Sequence, residues 1–504
     1  MKRIISVILI LVCLFTPDLS GQRNVNPDAS PEAVALLDLY YSISGKYQLT
    51  GQHNYPNTKD RNTLFAAEYA GQTPAIWSSD MGFAEDGNTD SYLARPDIVK
   101  EAIRQHRNGS IITICWHAVP PTANEPVTFR PSGPMEPGKL ESIQGQLLDE
   151  QFRDVLTPGT ELYKKWLDQV DSVAVYLKML RDAKVPVLWR PYHEMNGDWF
   201  WWGGRVGEYG TIALYRQMYD RFVIYHQLNN LVWVWNVDRP STPVRKFRNF
   251  YPGNEYLDIL SLDVYGSDFN KDYYDSLMVL SNGKPLLFGE VGNPPMPDIL
   301  DDQPNWASWV IWAGMTQNIS REEHRILTGD PRILSKEDQA YREVMNPFRK
   351  ACGLEKLPLS DGYPFNFSGE WQLDEGKSKG GAGGTVPHRI KIYQDHERMV
   401  VRKSFIVEWA ADRSTEEEIY LDGRETKTMF FNSPRISVTS WKGDPVKMVI
   451  HSTLTIGMDG NKRTMESIEE WTQEKGGGIL QIYQDAEGFR GGRSTSTLVY
   501  TKFN

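Results

Sequence analysis

Between residues 47 and 314 the chain alternates short apolar runs with longer stretches in which apolar residues recur every three or four positions. The short runs are almost continuously hydrophobic, which is typical of strands covered on both faces in a parallel sheet. The longer stretches have the spacing of amphipathic helices. The eight runs are residues 47–53, 74–81, 110–117, 185–194, 231–238, 257–266, 284–292 and 306–314. Eight strand and helix pairs predict an α/β fold, a TIM (β/α)8 barrel.

The pattern changes near Asp361. Beyond it, shorter segments alternate apolar and polar residues, and turns such as Asp422-Gly423 separate them. Alternation between Gly, Asp and Asn turns is typical of antiparallel strands. We therefore expect a barrel domain at residues 28–358 and a smaller all-β domain, either a barrel or a sandwich, at residues 365–504.

The N-terminal segment has the composition of an export signal. Lys2 and Arg3 precede an apolar run at residues 4–15 and a small, polar stretch at residues 16–21, so residues 1–22 are predicted to be a signal peptide. The exported protein would be periplasmic, secreted or attached to the cell surface. A lipid anchor on Cys13 is not expected, because Leu11 and Val12 precede it where small residues are required. No later segment approaches the roughly 18 apolar residues of a membrane span.

Composition narrows the class of ligand. The net charge of -10 leaves no basic surface for nucleic acid. The chain has 16 Trp and 24 Tyr, which is more aromatic surface than packing needs and favours flat platforms for sugar rings. Beyond the signal segment only Cys115 and Cys352 remain, and they are far apart in the sequence. We expect no disulfide framework, metal or cofactor.

Polar and aromatic side chains lie at the C-terminal ends of the predicted strands, which converge on one face of a barrel. They include His53, Asp80, Trp116, His117, His193, Glu194, Asn236, Asp238, Asp263, Tyr265, Glu290 and Trp312. A Pro-rich excursion at residues 118–160 is long enough to shape one wall of the resulting cleft. This face is the predicted active site.

Two carboxyl groups stand out at these ends. Glu194 closes the fourth run among aromatic residues, and Glu290 closes the seventh. Two inward carboxyl groups can flank one glycosidic bond, and a separation of about 5 to 5.5 Å would imply a retaining double displacement. The alternative is that each Glu pairs with a nearby Arg. Arg190 lies at even spacing from Glu194 on the same strand, where we expect it to hold Glu290 charged and oriented.

Three motifs carry a resemblance to a known family. Residues 190–197 are RPYHEMNG and are followed by WFWW at 199–202, residues 288–292 are FGEVG, and residues 113–117 are TICWH. Together they resemble glycoside hydrolase family 26, best known for β-mannanases, over roughly residues 30 to 350. The resemblance implies Glu194 as acid/base and Glu290 as nucleophile. The physical chemistry agrees, because burial beside indole rings raises the pKa of an acid.

The resemblance also implies several sugar contacts. It places His193 in the -1 subsite, and Trp116 with His117 resembles a Trp-His pair that grips the -1 sugar. In the family Asn-Pro usually follows that pair, whereas residues 118–121 here are AVPP, which leaves the sugar preference open. Tyr265 resembles a Tyr that donates a hydrogen bond to the nucleophile.

Aromatic platforms are expected on two sides of the predicted cleft. Trp312 is the favoured platform under the -1 sugar, although Trp306 and Trp309 have an equal claim by composition. Trp199 is expected to be a subsite ring. In the C-terminal domain, the Gly369-Glu370-Trp371 opening resembles lipocalin-like barrels, and a carbohydrate-binding sandwich is the alternative. No binding residue is assigned there.

The sequence therefore predicts an exported, retaining endo-β-1,4-mannanase that attacks mannan, glucomannan or galactomannan without metal or cofactor. Within the same chemistry, the alternative is a family 26 enzyme that cuts mixed-linkage β-glucan or β-1,3-xylan. A non-catalytic glycan-binding barrel is the alternative outside enzymes, and the presence of both Glu194 and Glu290 argues against it. The oligomeric state and the role of the C-terminal domain stay open.

Overall fold

The computed structural model describes residues 24–82, 94–133, 136–357, 363–380, 386–395, 397–407, 411–430, 433–457, 462–474, 476–488 and 491–503. The predicted signal peptide at residues 1–22 lies outside the described residues, as does the change of pattern at Asp361. Among the helices of the described residues, none is both long enough and apolar enough to cross a lipid bilayer.

The first domain is built on a parallel sheet whose strands follow chain order. The first predicted run forms β1 and β2, separated by Thr50, and β2 begins a seven-stranded sheet that continues to β8. Every neighbouring pair in this sheet is parallel. The strands are β1 Gln48–Leu49, β2 Gly51–His53, β3 Ile76–Asp80, β4 Ile111–Trp116, β5 Val187–Pro191, β6 Leu231–Asp238, β7 Ile259–Val264 and β8 Leu286–Val291.

The eighth predicted run closes this sheet into a cylinder. On one side residues 306–311 pair with β8, through parallel bridges from Leu286 to Trp306 and from Val291 to Ile311. On the other side a bridge joins Ile311 to Gln52 of β2. The predicted (β/α)8 barrel is therefore confirmed, and the strand ends that carry polar residues meet at one mouth.

Helices cover the outside of the barrel. The longest, Glu161–Asp182, begins at Thr160, whose side chain caps the backbone N–H of Tyr163, and it buries residues such as Trp166 and Val170 against the sheet. This burial at three- to four-residue spacing is what the amphipathic pattern predicts. The helices are α1 Pro31–Ile43, α2 Arg61–Ala70, α3 Arg95–Arg107, α4 Asp149–Leu156, α5 Glu161–Asp182, α6 Thr211–Asp220, α7 Lys271–Ser281, α8 Pro297–Asp302, α9 Arg321–Thr328 and α10 Gln339–Ala351. A short strand, β9 Ile333–Leu334, pairs with β1.

In its described residues the second domain is an antiparallel sheet of ten strands. Its first and last strands in the chain pair with each other, and its two edge strands meet where the backbone N–H of Tyr420 donates to Oγ1 of Thr426 over 3.0 Å. The domain is therefore a nearly closed barrel, not a sandwich. Its strands are β10 Gly369–Leu373, β11 Arg389–Gln394, β12 Arg398–Phe405, β13 Arg413–Tyr420, β14 Thr426–Phe430, β15 Ser433–Lys442, β16 Lys447–Ile456, β17 Arg463–Gln473, β18 Ile479–Glu487 and β19 Arg493–Phe503.

Buried charges join the two domains. Asp60, directly before α2, accepts hydrogen bonds from Arg398 of β12 and from Arg104 of α3, the latter over 2.6 Å. Nearby, the ammonium of Lys391 lies 2.6 Å from a carboxylate oxygen of Glu68. A buried, paired charge is costly to separate from its partner, so these contacts fix the β domain against α2.

Candidate active site

The chain leaves β5 in an unusual conformation that directs two consecutive side chains to the mouth of the barrel. Tyr192 and Glu194 have φ values of 51° and 52°, in the left-handed region that non-glycine residues occupy at a cost of about 1–3 kcal/mol. The backbone N–H of Glu194 donates to Oδ1 of Asn236 over 2.7 Å, which holds the turn in place. Strand alternation would have turned His193 away from the cleft, but it does not apply beyond Pro191.

Three carboxyl groups meet at the centre of the mouth. One carboxylate oxygen from each of Glu194, Asp263 and Glu290 lies within 4.8 Å of the others. The side chains come from β7, from β8 and from the turn after β5. Retaining glycosidases hold their two carboxyl groups about 5–5.5 Å apart and inverting enzymes about 6.5–9.5 Å. The separation of Glu194 and Glu290 therefore suits a double displacement.

Both oxygens of Glu290 accept hydrogen bonds. Nη2 of Arg190 lies 2.7 Å from Oε1, and the Tyr265 hydroxyl donates to Oε2 over 2.7 Å. These two charge-assisted hydrogen bonds fix the orientation of the carboxylate that is to act as the nucleophile. The guanidinium of Arg190 is buried, which by itself lowers its pKa, but Glu290 and Asp263 raise that pKa above its usual value.

The surroundings of Glu194 favour its protonated form. Burial raises the pKa of this carboxyl well above its usual range, and the negative charges of Asp263, Glu290 and Asp238 raise it further. One contact acts in the opposite direction, because Nε1 of Trp199 donates to Oε2 of Glu194 over 2.5 Å. A carboxyl group that stays protonated near neutral pH can act as a general acid.

Asp263 is the third acidic group at the mouth. The sequence places it at a strand end but does not show which residues it contacts. Its Oδ2 lies 3.3 Å from Nη1 of Arg190, and its Oδ1 accepts from Nδ2 of Asn236 over 2.7 Å. Burial raises the pKa of Asp263 well above its usual range, and Glu290 adds to the effect. Its even spacing from Tyr265, which directly follows β7, is the sequence signal that would have placed it beside Glu290.

Two imidazoles connect Glu290 to a buried carboxylate. Nε2 of His193 lies 3.0 Å from Nε2 of His117 and 4.0 Å from Oε1 of Glu290. Nδ1 of His117 donates to Oδ2 of Asp80 over 2.5 Å, because an ionised carboxylate only accepts. Burial lowers the pKa of His193 well below its usual value, with further lowering by His117 and Arg190. His193 is therefore neutral, and both predicted His residues lie in the site.

The three candidate platform tryptophans differ in burial. Trp306 and Trp309 are each 1% exposed, and Trp306 stacks on Phe288 with 3.9 Å between ring centroids. Trp312 is only partly buried and stacks on His53 at 3.9 Å with an angle of 12° between the rings. Among the three, Trp312 is the ring that reaches the cleft.

The aromatic run after Glu194 divides between the cleft and the core. Trp199 is partly buried and its ring lies under the guanidinium of Arg245 at 5.5 Å. Phe200 and Trp202 stack on each other at 4.4 Å, and Trp201 is fully buried. The predicted excursion supports this run, since Nε2 of Gln146 donates to the carbonyl of Phe200 over 2.7 Å.

The prediction that Trp116 contacts sugar is wrong. This side chain is 1% exposed and stacks on Trp166 of α5 at 5.4 Å, with 11° between the rings. Successive side chains of a strand point to opposite faces. Cys115 faces the barrel interior, where its thiol donates to Oδ2 of Asp80 over 3.0 Å, so Trp116 packs against the helix layer. Only His117 of the pair reaches the site.

Asp80, Asn236 and Asp238 are polar strand-end residues that the sequence places at the mouth of the barrel without assigning them a role. Asp80 and Asn236 are fully buried and brace other groups, Asp80 by accepting from His117 and Asn236 by bonding Asp263 and the backbone of Glu194. The carboxylate of Asp238 lies 3.5 Å from Nε of Arg239, and burial raises its pKa. Asp80 and Asn236 therefore hold groups around the carboxyl pair in place, whereas the charge of Asp238 raises the pKa of Glu194.

Within the part of the chain that the structure describes, two groups of side chains have metal-ligand spacing. They are Cys115 with His117 and His193, and Glu194 with Asp263 and Glu290. In the first group burial raises the pKa of the thiol well above its usual value, so it stays protonated, and only a thiolate is a good ligand. In the second group Arg190 already supplies the positive charge between two carboxylates. In both groups the side chains therefore suit the hydrogen bonds and ion pairs that they already make better than they suit a bound cation.

Comparison with known sequences points to one family. The model of glycosyl hydrolase family 26 matches residues 25–338. A mannan endo-1,4-β-mannosidase of Thermothelomyces thermophilus is 34% identical over 295 residues, which cover 57% of this chain and 56% of that protein. Mannan endo-1,4-β-mannosidase A of Piromyces sp. is 29% identical over 311 residues, 58% of this chain and 46% of that protein. The chain spans about half the length of the curated relatives it matches.

Comparison with solved structures points to the same family. The structure of GH26A from Muricauda sp. has 40% sequence identity and a TM-score of 0.56, and the superposition covers 62% of this chain and 98% of that one. The GH26-CBM35 β-(1,4)-mannanase of Podospora anserina has 27% identity and a TM-score of 0.53, and covers 64% of this chain and 70% of that one.

Proposed function

Since the chain belongs to glycosyl hydrolase family 26, we propose that it is a retaining endo-β-1,4-mannanase acting on mannan, glucomannan or galactomannan. The observation that carries the chemistry is the approach of Glu194 and Glu290 to within 4.8 Å, with opposite surroundings for the two carboxyl groups. The choice of mannan rests on the relatives, several of which are mannan endo-1,4-β-mannosidases.

In the first step Glu194 is the general acid. Its proton passes to the glycosidic oxygen as the bond to the leaving sugar breaks, and Oε of Glu290 attacks the anomeric carbon to form a glycosyl ester. Arg190 and Tyr265 hold the attacking carboxylate in one orientation. This positioning converts an encounter into an intramolecular reaction.

In the second step Glu194 is the general base. Esterification removes the negative charge of Glu290, which is one of the groups that raise the pKa of Glu194, so the pKa of Glu194 falls when it has to accept a proton. It then takes a proton from water while the water oxygen attacks the anomeric carbon. Glu290 leaves as a carboxylate, and its charge is again stabilised by Arg190 and Tyr265.

Sugar contacts are proposed for the remaining residues that face the mouth. Trp312 supplies the platform at the -1 position, and His117 and His193 supply imidazole groups that bond sugar hydroxyls beside Glu290. Trp199 lies on the side of the leaving sugar, because its N–H contacts the acid. Aromatic faces with a few fixed polar groups are the usual composition of a sugar site.

The test is a substrate panel with a matched control. Purified protein, Glu290→Ala and Glu150→Ala are assayed on mannan, glucomannan, galactomannan, mixed-linkage β-glucan and β-1,3-xylan. Glu150 is an exposed residue of α4, outside the site. We expect mannan-type substrates to be cut by the wild type and by Glu150→Ala, and not by Glu290→Ala. Activity confined to β-glucan or xylan would show that mannan is not the substrate. Equal glycan binding by all three proteins, without sugar release by any of them, would favour a non-catalytic glycan-binding barrel.

Export is proposed on composition alone. The basic, apolar and small segments at residues 1–22 support a cleaved signal peptide. Expression of the full chain with analysis of the mature N-terminus tests this directly. A new N-terminus between residues 21 and 24 supports cleavage, whereas an intact Met1 or a lipid-modified Cys13 would contradict it.

A further inference from the structure

A groove of about 1480 Å³ lies between the two domains. Its barrel wall is formed by α2 and its other wall by the outer faces of β10 to β13 with the end of β19. Its lining also includes Thr58, Gly314 and Gln317. Gly314 is two residues beyond Trp312, and Tyr55, just before Thr58, packs edge-on against the Trp312 ring. Residues of the groove lining are therefore close in the chain to Tyr55 and to the aromatic platform Trp312.

The two walls are held together by buried charges and do not have to assemble on binding. Asp60 and Arg398 line the groove and are both buried, with 8% and 4% of their side chains exposed. Lys391 bridges to Glu68 across the interface over 2.6 Å. A preformed site avoids the free energy of ordering its walls, which strengthens binding.

The lining suits a neutral, hydroxyl-rich chain. Its lining contains both basic and acidic groups, including Arg321, Arg402 and Lys502 with Glu370, Glu416 and Glu418. Because positive and negative side chains are interspersed, the groove has no electrostatic potential of one sign that would select an anion or a cation. Guanidinium and carboxylate groups bond hydroxyls as donors and acceptors, and the rings of Phe65 and Phe503 add apolar faces for sugar rings.

The position of the groove relative to the acid decides which part of the substrate it meets. The fourth and eighth strands of an eight-stranded barrel lie across from each other. Glu194 and Trp199 follow the fourth strand, where the leaving sugar is protonated, and Trp312 follows the eighth. Gly314, two residues beyond Trp312, therefore places part of the groove lining on the side of the sugar that is attacked by Glu290.

We propose that this groove binds the part of the β-mannan chain that extends beyond Trp312 toward the non-reducing end. The C-terminal β barrel would then contribute one wall of a set of distal sugar subsites. The inference rests on the proposed function, because it identifies the bound chain with the substrate of the carboxyl pair.

The test uses exposed residues of the C-terminal wall in the full chain. Phe503→Ala and Arg402→Ala remove side chains that are 57% and 50% exposed, so the core is not disturbed. Met429→Ala is the control, since Met429 is 66% exposed in the same domain and does not line the groove. The quantity compared is the ratio of kcat/KM on mannan polymer to kcat/KM on an aryl mannobioside, which occupies only the cleft. We expect each groove variant to lower this ratio by about three- to tenfold. The control should keep the wild-type ratio.

Binding separates failure of this inference from failure of the proposed function. Retardation of Glu290→Ala in gels containing mannan polymer measures binding without hydrolysis, and adding Phe503→Ala should weaken it. If the wild type binds mannan through the groove but does not cut it, the proposed function is contradicted and the proposed role of the groove is still supported. If both groove variants keep the wild-type polymer-to-mannobioside ratio and the wild-type retardation, the proposal that the groove binds mannan is contradicted, whatever the activity of the protein.

Discussion

The indole N–H of Trp199 donates a 2.5 Å hydrogen bond to Oε2 of Glu194. The bond joins the aromatic loop after β5 to the proposed acid, and it opposes the main influences on that group. Burial and three neighbouring carboxylates raise the pKa of Glu194, whereas Trp199 lowers it. The loop therefore limits how far the pKa of the acid rises.

Replacing Trp199 by Phe should move the alkaline limb of the pH profile to higher pH. The first step needs protonated Glu194, so kcat/KM falls as the pH rises through its pKa. The indole bond favours the charged form, and its loss raises that pKa further. The measurement is kcat/KM on a manno-oligosaccharide as a function of pH. A limb that stays in place or moves to lower pH would show that the bond does not act on the acid.

Replacing Asp263 by Asn should move the same limb in the opposite direction. Asp263 is, after burial, the next contribution to the raised pKa of Glu194, so removing its negative charge lowers that pKa. Asn keeps the shape of the side chain. Because the two substitutions shift the limb in opposite directions, a general loss of structure cannot produce both results. A shift to higher pH in Asp263→Asn would contradict this electrostatic account.

Replacing Tyr265 by Phe should slow breakdown of the glycosyl ester. Its hydroxyl donates to Oε2 of Glu290 over 2.7 Å, and negative charge returns to this carboxylate when the ester is hydrolysed. Loss of one such donor typically lowers kcat on the order of 10²-fold. With an aryl mannobioside, whose first step is fast, we expect an initial burst of aryl alcohol followed by a slow steady rate. A lower rate without a burst would place the effect in the first step instead.

Asp80 is predicted to be a positioning residue for the two imidazoles. Burial alone would raise its pKa, but His117 and Cys115 together hold the pKa well below its usual value, so it accepts from Nδ1 of His117 throughout the working range. Asp80→Asn should release His117 and, through it, His193 beside Glu290. Misplacement of a substrate contact by about 1 Å can cost on the order of 10²-fold in rate. The measurement is kcat and KM, with the nitrogen NMR signals of the two imidazoles reporting which ring nitrogen carries the proton. Unchanged signals would contradict the role.

Arg398 is predicted to stabilise the contact between the domains. Arg398→Ala leaves Asp60 buried with one partner fewer, and breaking a buried ion pair typically costs about 3–5 kcal/mol. Arg402→Ala is the control, because its pair with Glu416 is half exposed and such pairs contribute about 0–1 kcal/mol. Thermal unfolding at neutral pH should show a lower Tm for Arg398→Ala alone.

The same pair gives a pH dependence with a defined sign. Burial by itself would raise the pKa of Asp60, but Arg398 and Arg104 hold it below its usual value. A lowered pKa in the folded state contributes stability above the unfolded pKa of about 3.9, and that stability is lost as the pH falls through the folded value. The difference in Tm between wild type and Arg398→Ala should therefore shrink in acid. A constant difference would exclude the charge of Asp60 as its source.

The barrel was predictable because its signal is local. Most strands are nearly continuous apolar runs, and the polar residue near the end of the run, such as Glu290 or Asp263, is visible in the same few letters. Trp116 was misplaced because the family resemblance outweighed strand alternation, which would have turned it away from Cys115 and the cleft. The directions of His193 and Glu194 depend on left-handed backbone at non-glycine residues, and no residue type in that segment indicates it.

Contacts between distant segments were not predictable. Arg398 and Asp60 are 338 positions apart, and neither belongs to a motif. The groove between the domains exists only because this pair and its neighbours fix one barrel against the other. Periodicity determines which face of an element is buried, but it does not determine which domain surface meets it.

The most direct test of the carboxyl pair is to trap the ester that it should form. The protein is incubated with an activated 2-deoxy-2-fluoro-β-mannobioside, which forms the ester quickly and hydrolyses it slowly, and is then digested and analysed by mass spectrometry. We predict that the peptide containing Glu290 gains one fluoroglycosyl group and that Glu290→Ala gains none. A label on any other residue, or turnover with inversion at the anomeric carbon, would contradict the double displacement.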